Sequence, residues 1–519
     1  MNNFFEQTDY DDSMSALMKV YDGIKHTEVT EEFILPDYLP DIKRIIQVDT
    51  KPKVDGKFIS RGKIDYEGDV VCHILFCDEG NHLRTVTFTA SFSDGVEIEE
   101  VVDECVANLL PIPESVSCKM INPRRVSLRL RIDTSVTVWC NRNFRPQYSG
   151  DVNLANIEKS EKELEVMKVI CAGESGLSAS ADLEADGALP QIGEIIRCNV
   201  DMSFYECKGS DGKVLCRGEM PITVFYSSPN DDGETYTVLF RKLPIAQVVL
   251  ADGVNEECSC MARGAVDSVK VNVAENGFGE RRIIEIDVTY RVYLNCVASD
   301  RVTVINDVYA IGKDVKTENR KETFCRFSKL YSTNFGANLS IPKNELNLQN
   351  AESVFALTAD PKILSVEKSF DKTRLTVSGI AKSNAIVKGG DGLSVHEYDV
   401  PFSIDLEASG VDKDFIYNYD LVCLGAKGRF DSENFYTELD IQLNLMILET
   451  EETEILTSAQ FNDMSDNKEK PQMRFYYPAD GETLWSIGKQ FGVSVSEITE
   501  KNSIADGKIP RVVFIPYAK

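Results

Sequence analysis

The chain has 519 residues and 43% of them are apolar, enough for several ordinary cores and too many for wholesale disorder. Acidic residues number 84 against 56 basic ones, a net charge of −28. General binding to nucleic acid or anionic lipid is thereby excluded, because phosphates need a surplus of cations. No apolar run is long enough to cross a bilayer, so no membrane span is expected. Met1 to Asp12 shows neither the basic nor the apolar stretch of a secretory leader. The 14 cysteines are scattered, many in apolar runs (Cys72, Cys140, Cys198, Cys296), which is the usage expected of reduced, buried thiols in a cytoplasmic protein.

In chain order, residues 1–24 read as a helical or flexible segment, with helical pattern over Ser13 to Ile24. LPDIKRII (Leu39 to Ile46) follows, with a second helical signal near Ile42 to Ile46. LPQIGEII (Leu189 to Ile196) repeats it 150 residues later. Arg61-Gly62 and Arg217-Gly218 read as matching turns downstream, and a weaker third copy runs through Ile341-Pro342, Val354-Phe355 and Ser378-Gly379. A period this long implies repeated domains rather than a solenoid.

Each copy closes on an alternating run. Val126, Leu128, Leu130, Ile132, Val136 and Val138 share one parity, as do Ile284 to Leu294 and Leu439 to Ile447 in the later copies. Period two with one apolar face marks a half-buried antiparallel strand. Pro244 and Pro401 fall where an edge or a bulge is expected. The expected fold class is mainly β: three tandem sandwich- or barrel-like domains with short helices, near residues 25–145, 160–300 and 310–450. The charged stretch Ile157 to Val169 reads as helical, and 451–473 as a flexible linker.

Residues 474–519 form a small α+β unit, strand–helix–helix–strand. Thr483 caps a helix carrying Leu484, Ile487 and Phe491, and Gly492 stops it. Ser494 to Glu497 opens a second helix, with Val493 and Ile498 placed for a hydrophobic staple. Val513 to Pro516 is the closing strand. Trp485 reads equally as a partner anchor or as packing for its own small domain.

Gly481 to Ile487, Phe491 to Ser494, Asn502 and Ile515-Pro516 resemble the LysM family in order and spacing. The resemblance implies a groove between two loops, Gly481, Glu482, Thr483 and Leu484 on one side and Asn502, Ser503 and Ile504 on the other, for N-acetylglucosamine chains. With LPDYLPDI (Leu35 to Ile42) and the repeated β domains ahead of it, the whole chain resembles SipL-type proteins with SPOCS domains. That implies a non-enzymatic scaffold of endospore coat assembly, cytoplasmic in the mother cell at the forespore surface. It would bind the coat-morphogenetic ATPase, with Trp485 and the LysM loops contributing. The alternative is a peptidoglycan-binding LysM protein of wall or cortex, and a LysM-targeted hydrolase ranks third. LPDYLPDI itself reads as structural, because Pro36 and Pro40 fix the backbone while Leu39 and Ile42 can be buried.

No phosphate-binding loop, nucleophile elbow or zinc-protease motif occurs, and the four histidines (His26, His73, His82, His396) are scattered. No catalytic residue, metal or cofactor is expected. Cys258 and Cys260 are a lone C-x-C with no further ligands at metal spacing.

Overall fold

The computed structural model describes residues 14–150, 156–230, 233–370, 373–389, 392–411, 414–463, 474–504 and 508–516. Most of it is antiparallel strand, in three successive sets. The first is β1 (Ser15–Ile34), β2 (Arg44–Ser60), β3 (Lys63–Cys77), β4 (Leu83–Glu97), β5 (Val106–Asn122) and β6 (Arg125–Asn143). A short β7 (Gln147–Gly150) leads to β8 (Ile157–Glu184), β9 (Ile195–Val200), β10 (Ser203–Ser210), β11 (Lys213–Asn230), β12 (Gly233–Leu250), β13 (Ser259–Glu275) and β14 (Arg281–Ala310). The third set is β15 (Lys313–Pro342), β16 (Ala351–Lys368), β17 (Arg374–Gly389), β18 (Gly392–Glu407), β19 (Phe415–Phe430) and β20 (Asn434–Asp463).

One topology recurs. In the first set the sheets run β1-β6-β5 and β2-β3-β4, and in the third β15-β20-β19 and β16-β17-β18. The second set keeps the order with its second strand broken into β9 and β10, and its sheets join where Lys208 pairs with Ser259. The alternating residues fill the cores. Val126 to Val138 of the inward parity, Ile284 to Leu294 and Leu439 to Ile447 are all buried at the predicted positions. Pro244 and Pro401 lie on the edge strands β12 and β18, where a missing N–H breaks no ladder.

The repeat is marked by glycines rather than by Arg-Gly pairs. Gly68, Gly218 and Gly379 sit opposite Val54, Phe204 and Ile363, and a β-bulge follows each pair. A Cβ at these glycines would lie 2.0 Å from Lys53 O, 1.9 Å from Ser203 O and 2.3 Å from Lys362 O. The bulge brings two backbones closer than any side chain allows. Gly218 therefore matches Gly68, not Gly62. Gly62 matches Gly212, both at hairpin turns with positive φ (80° and 74°). Both pairs keep the 150-residue offset of the LPDI and LPQI motifs.

The LPDYLPDI loop is held at both ends by the β5–β6 hairpin. Leu35 N donates to Arg124 O and Ile42 N to Pro123 O, each at 2.8 Å, and both side chains are buried. The Arg124 guanidinium donates to Pro36 O at 2.9 Å and Leu39 O at 3.1 Å. In the second copy Arg282 donates to Leu189 O at 2.8 Å and Asp186 O at 3.1 Å.

The first and last strands of each set outrun their sandwiches. Residues near 15–25 pair with 133–143, 157–168 with 298–310, and 313–325 with 450–463. These ribbons meet in shared apolar clusters. One holds Ala16, Phe144, Leu164, Val302, Phe324 and Ile455, one or more from every set. β7 adds parallel to β20 at Gln147–Gly150. We call this joint the hub.

The hub corrects several expectations. The predicted helix over Ser13 to Ile24 is the start of β1 (Ser13 itself lies outside the described residues), and Ile157 to Val169 is the start of β8. Lys and Glu favour helix locally, but Leu164 and Val166 bury on one face only when the segment is extended against β14. Residues 42–43 are not helical, and β2 begins at Arg44. Residues 451–463 are not a linker but the end of β20, paired to β15; 464–473 lie outside the described residues. The expectation of reduced thiols fails at one pair. Cys105 and Cys140 are disulfide-bonded with Cα atoms 4.5 Å apart, while 12 cysteines are free. Scattered spacing carries no pairing information, and these two meet only through β5–β6 register.

Candidate functional site: the C-terminal unit and its seat on the hub

The C-terminal unit comprises β21 (Arg474–Tyr476), α1 (Leu484–Phe491), α2 (Val495–Lys501) and β22 (Val513–Ile515), the strand–helix–helix–strand order expected. Its small core is Ile487, Val493, Ile498, Val513 and Ile515. Thr483 caps α1: its hydroxyl accepts from Ser486 N at 3.1 Å, and Ser486 Oγ accepts from Thr483 N at 3.0 Å. Gly492 ends the helix at φ 63°. Ser494 Oγ accepts from Glu497 N at 3.1 Å to cap α2.

The residues singled out from sequence have unequal freedom. The Glu482 carboxylate accepts from Tyr476 OH at 2.8 and 2.9 Å and from Ala479 N at 2.7 Å. It ties the first loop to β21, and this hydrogen bond raises the Tyr476 phenol above its ordinary range. Asn502 works as a two-sided clip. Its Nδ2 donates to Ile498 O at 2.8 Å and Phe514 O at 2.7 Å, and its Oδ1 accepts from Phe514 N at 2.7 Å. Leu484 and Ile504 rest on the same small core, which brings the two loops to one body. Gly481, at φ 90°, Thr483 and Ser503 are exposed.

Trp485 does not pack on the core of its own small unit. It packs edge-on against Tyr309 of the hub, ring centroids 4.9 Å apart, and its Nε1 donates to Asp307 Oδ2 at 2.9 Å. Lys489, one turn on, donates to Asp307 Oδ1 at 2.6 Å. Tyr309 OH donates to Val493 O at 2.9 Å, and burial pushes this phenol up. Gly488 completes the fit, since a Cβ there would lie 2.6 Å from Tyr309 OH. A bulge between Ile305 and Asp307 in β14 sets the local register of the seat. Sequence reading missed Asp307 and Tyr309. The available signal was Trp485, Gly488 and Lys489 on one face of α1, a ring and a cation flanking a gap.

Among the described residues no group of three or more His, Cys, Asp or Glu could hold a metal ion. No described helix is long and apolar enough to cross a membrane.

The SipL, SPOCS domain family model matches residues 41–121 and 191–274, and the LysM domain model matches 479–512. The two SPOCS segments run from the proline loop to β5 and to β13, so they take in the bulge glycines Gly68 and Gly218. They leave out the long first and last strands that build the hub. No curated protein and no solved structure matches the chain. Two SPOCS matches followed by a C-terminal LysM match agree with the resemblance to SipL-type proteins read from the sequence.

Proposed function

We propose that this protein is a non-enzymatic adaptor in endospore coat assembly. It works in the mother-cell cytoplasm at the forespore surface and binds the coat-morphogenetic ATPase with help from its LysM domain. SPOCS and LysM domains belong to a sporulation-related protein, and both are binding rather than catalytic modules. Each six-strand set is one domain in this reading, the third a degenerate SPOCS copy. The observation that carries the proposal is the α1 face: Trp485, Gly488 and Lys489 already recognise protein side chains, those of Asp307 and Tyr309. Trp is among the residues enriched at protein-binding hot spots. Several modest contacts on one chain gain strength when the partner is polymeric.

Immobilised full-length protein tests this. Trp485→Glu is expected to retain much less of the ATPase than the parent, while Asp307→Ala, which frees the same face, retains at least as much. Equal retention by Trp485→Glu and parent rejects the anchor. A second reading rests on the exposure of Gly481, Thr483 and Ser503, the open positions of the two loops. Through them the LysM domain binds N-acetylglucosamine-containing glycan, and the full chain then pellets with purified peptidoglycan. Failure to pellet rejects that reading.

A further inference from the structure

β12, outermost in its sheet, carries an apolar row where its counterparts in the other two sets are polar. Gly68, Gly218 and Gly379 lie opposite Phe92, Ile245 and Phe402, which aligns β4, β12 and β18 residue for residue. The outward positions of β12 around that rung are Pro244, Ala246, Val248 and Leu250, all exposed, the last two by 54% and 51%. At the same places β4 has Ser91, Ser93, Gly95 and Glu97, and β18 has Pro401, Ser403, Asp405 and Glu407. Three copies of one sheet supply an internal comparison. Hydroxyls and charges guard two of the edges against pairing, and the third has no such guard.

The edge also offers its backbone. Pro221 pairs with Lys242, and Pro221 O accepts from Asp201 N at 3.2 Å on the side away from β12. That rung therefore carries no hydrogen bond between β11 and β12. The alternation of antiparallel rungs then turns the N–H and C=O groups of residues 246, 248 and 250 to the open edge. From Leu243 to Ala251 the strand has no charged residue. A second copy of the chain complements this edge. In an antiparallel register centred on Gln247, Ala246 faces Val248 of the other copy and Pro244 faces its Leu250, so apolar meets apolar at each outward rung. Just past the strand, the exposed Asp252 comes toward Lys242 of the other copy, opposite charges. The equivalent register of β18 would crowd Asp399, Asp405 and Glu407 of both copies together.

We propose that β12 is a self-docking edge, through which two copies of this chain join antiparallel at residues 244–250. The pairing does not involve the LysM unit and does not rest on the adaptor reading. One strand is a narrow contact beside the roughly 1,600 Å² of a standard interface, and each copy carries −28. The dimer is accordingly weak, and it strengthens when salt screens the repulsion. Sedimentation velocity on the full chain, from about 5 to 200 µM, is expected to show a dimer fraction that grows with concentration. The fraction should be larger at about 0.5 M than at about 0.05 M salt. Val248→Asp and Leu250→Glu install the residues that β18 holds at these places, so both should keep the parent's circular dichroism. Each is expected to weaken association at least tenfold, and if one misfolds, the other decides. Tyr38→Ser, which removes a phenol 83% exposed in the proline loop of the first set, is expected to dimerise like the parent. A monomer at every concentration and both salt levels overturns the proposal and leaves the edge to an unlike protein. So does a dimer that the folded β12 variants keep, or one that Tyr38→Ser loses.

Discussion

Gly218 shows how one hydrogen atom in place of a methyl sets a strand crossing. Its Cβ would stand 1.9 Å from a carbonyl oxygen on the facing backbone, so an alanine must push β10 and β11 apart. Gly218→Ala is expected to cost about 2–3 kcal/mol, read as a lower denaturation midpoint. Gly176→Ala supplies the contrast: nothing lies within 4 Å of its Cβ position, and its effect should stay within about 0.5 kcal/mol. Equal losses at both positions would show that the close approach is not what Gly218 serves. The Arg124 and Arg282 clamps are the companion device. A single guanidinium satisfies several carbonyls that a proline-containing loop cannot satisfy with its own N–H groups.

Strands that outlast their sandwich are the feature of the element scale. Within each core the alternating residues were readable, because a half-buried strand writes its period into the sequence. The hub was not. Leu164 and Val166 stand among Glu161, Glu163 and Glu165, and only a partner some 140 residues away makes extension better than helix. The same distance hid the LysM seat. The caps Thr483, Gly492 and Ser494 are local and were legible, whereas Asp307 lies 178 residues from Trp485. Asp307→Ala removes the acceptor for both Trp485 and Lys489. It is expected to unseat the LysM domain, at a cost of about 1–3 kcal/mol to that contact, with no loss of strand or helix. In a Trp139→Phe background, Trp485 emission should shift to the red and quench more readily with acrylamide. Emission like the parent's means that the rings alone hold the seat.

At the scale of the whole molecule, the second and third sets are joined by a buried polar cluster. Asp420 of β19 is completely enclosed, with Ser203 Oγ at 3.4 Å, Asn444 Nδ2 at 3.5 Å and Arg263 Nε at 3.7 Å. Burial outweighs these partners and pushes the carboxyl up to about 6. A carboxyl raised above its unfolded value holds its proton better when folded. Its contribution therefore favours the native state below about pH 4 and is lost as pH rises through 6, amounting to about 3 kcal/mol. Asp420→Asn keeps the shape without the charge. It should be more stable than the parent at pH 7.5, by up to about 2–3 kcal/mol, with the gap closing toward pH 4.5 in denaturant titrations. A gap that is constant with pH removes Asp420 as the titrating group. No such cluster could be read in advance, since Ser203, Arg263, Asp420 and Asn444 have no shared spacing.

The pairing of first strand with last has a bearing on how the chain is made. β1 cannot begin to pair with β6 until Arg125 has followed Ile34 out of the ribosome, and β8 and β15 wait likewise, Glu184 for Ile283 and Pro342 for Asn434. The joint that unites all three needs β20, so it closes only after the third set has been made. Until then the cluster of Ala16, Phe144 and Val302 lacks Phe324 and Ile455, and a nascent chain stalled before residue 450 is expected to be more exposed to aggregation and to chaperone capture than one released after β20 is complete.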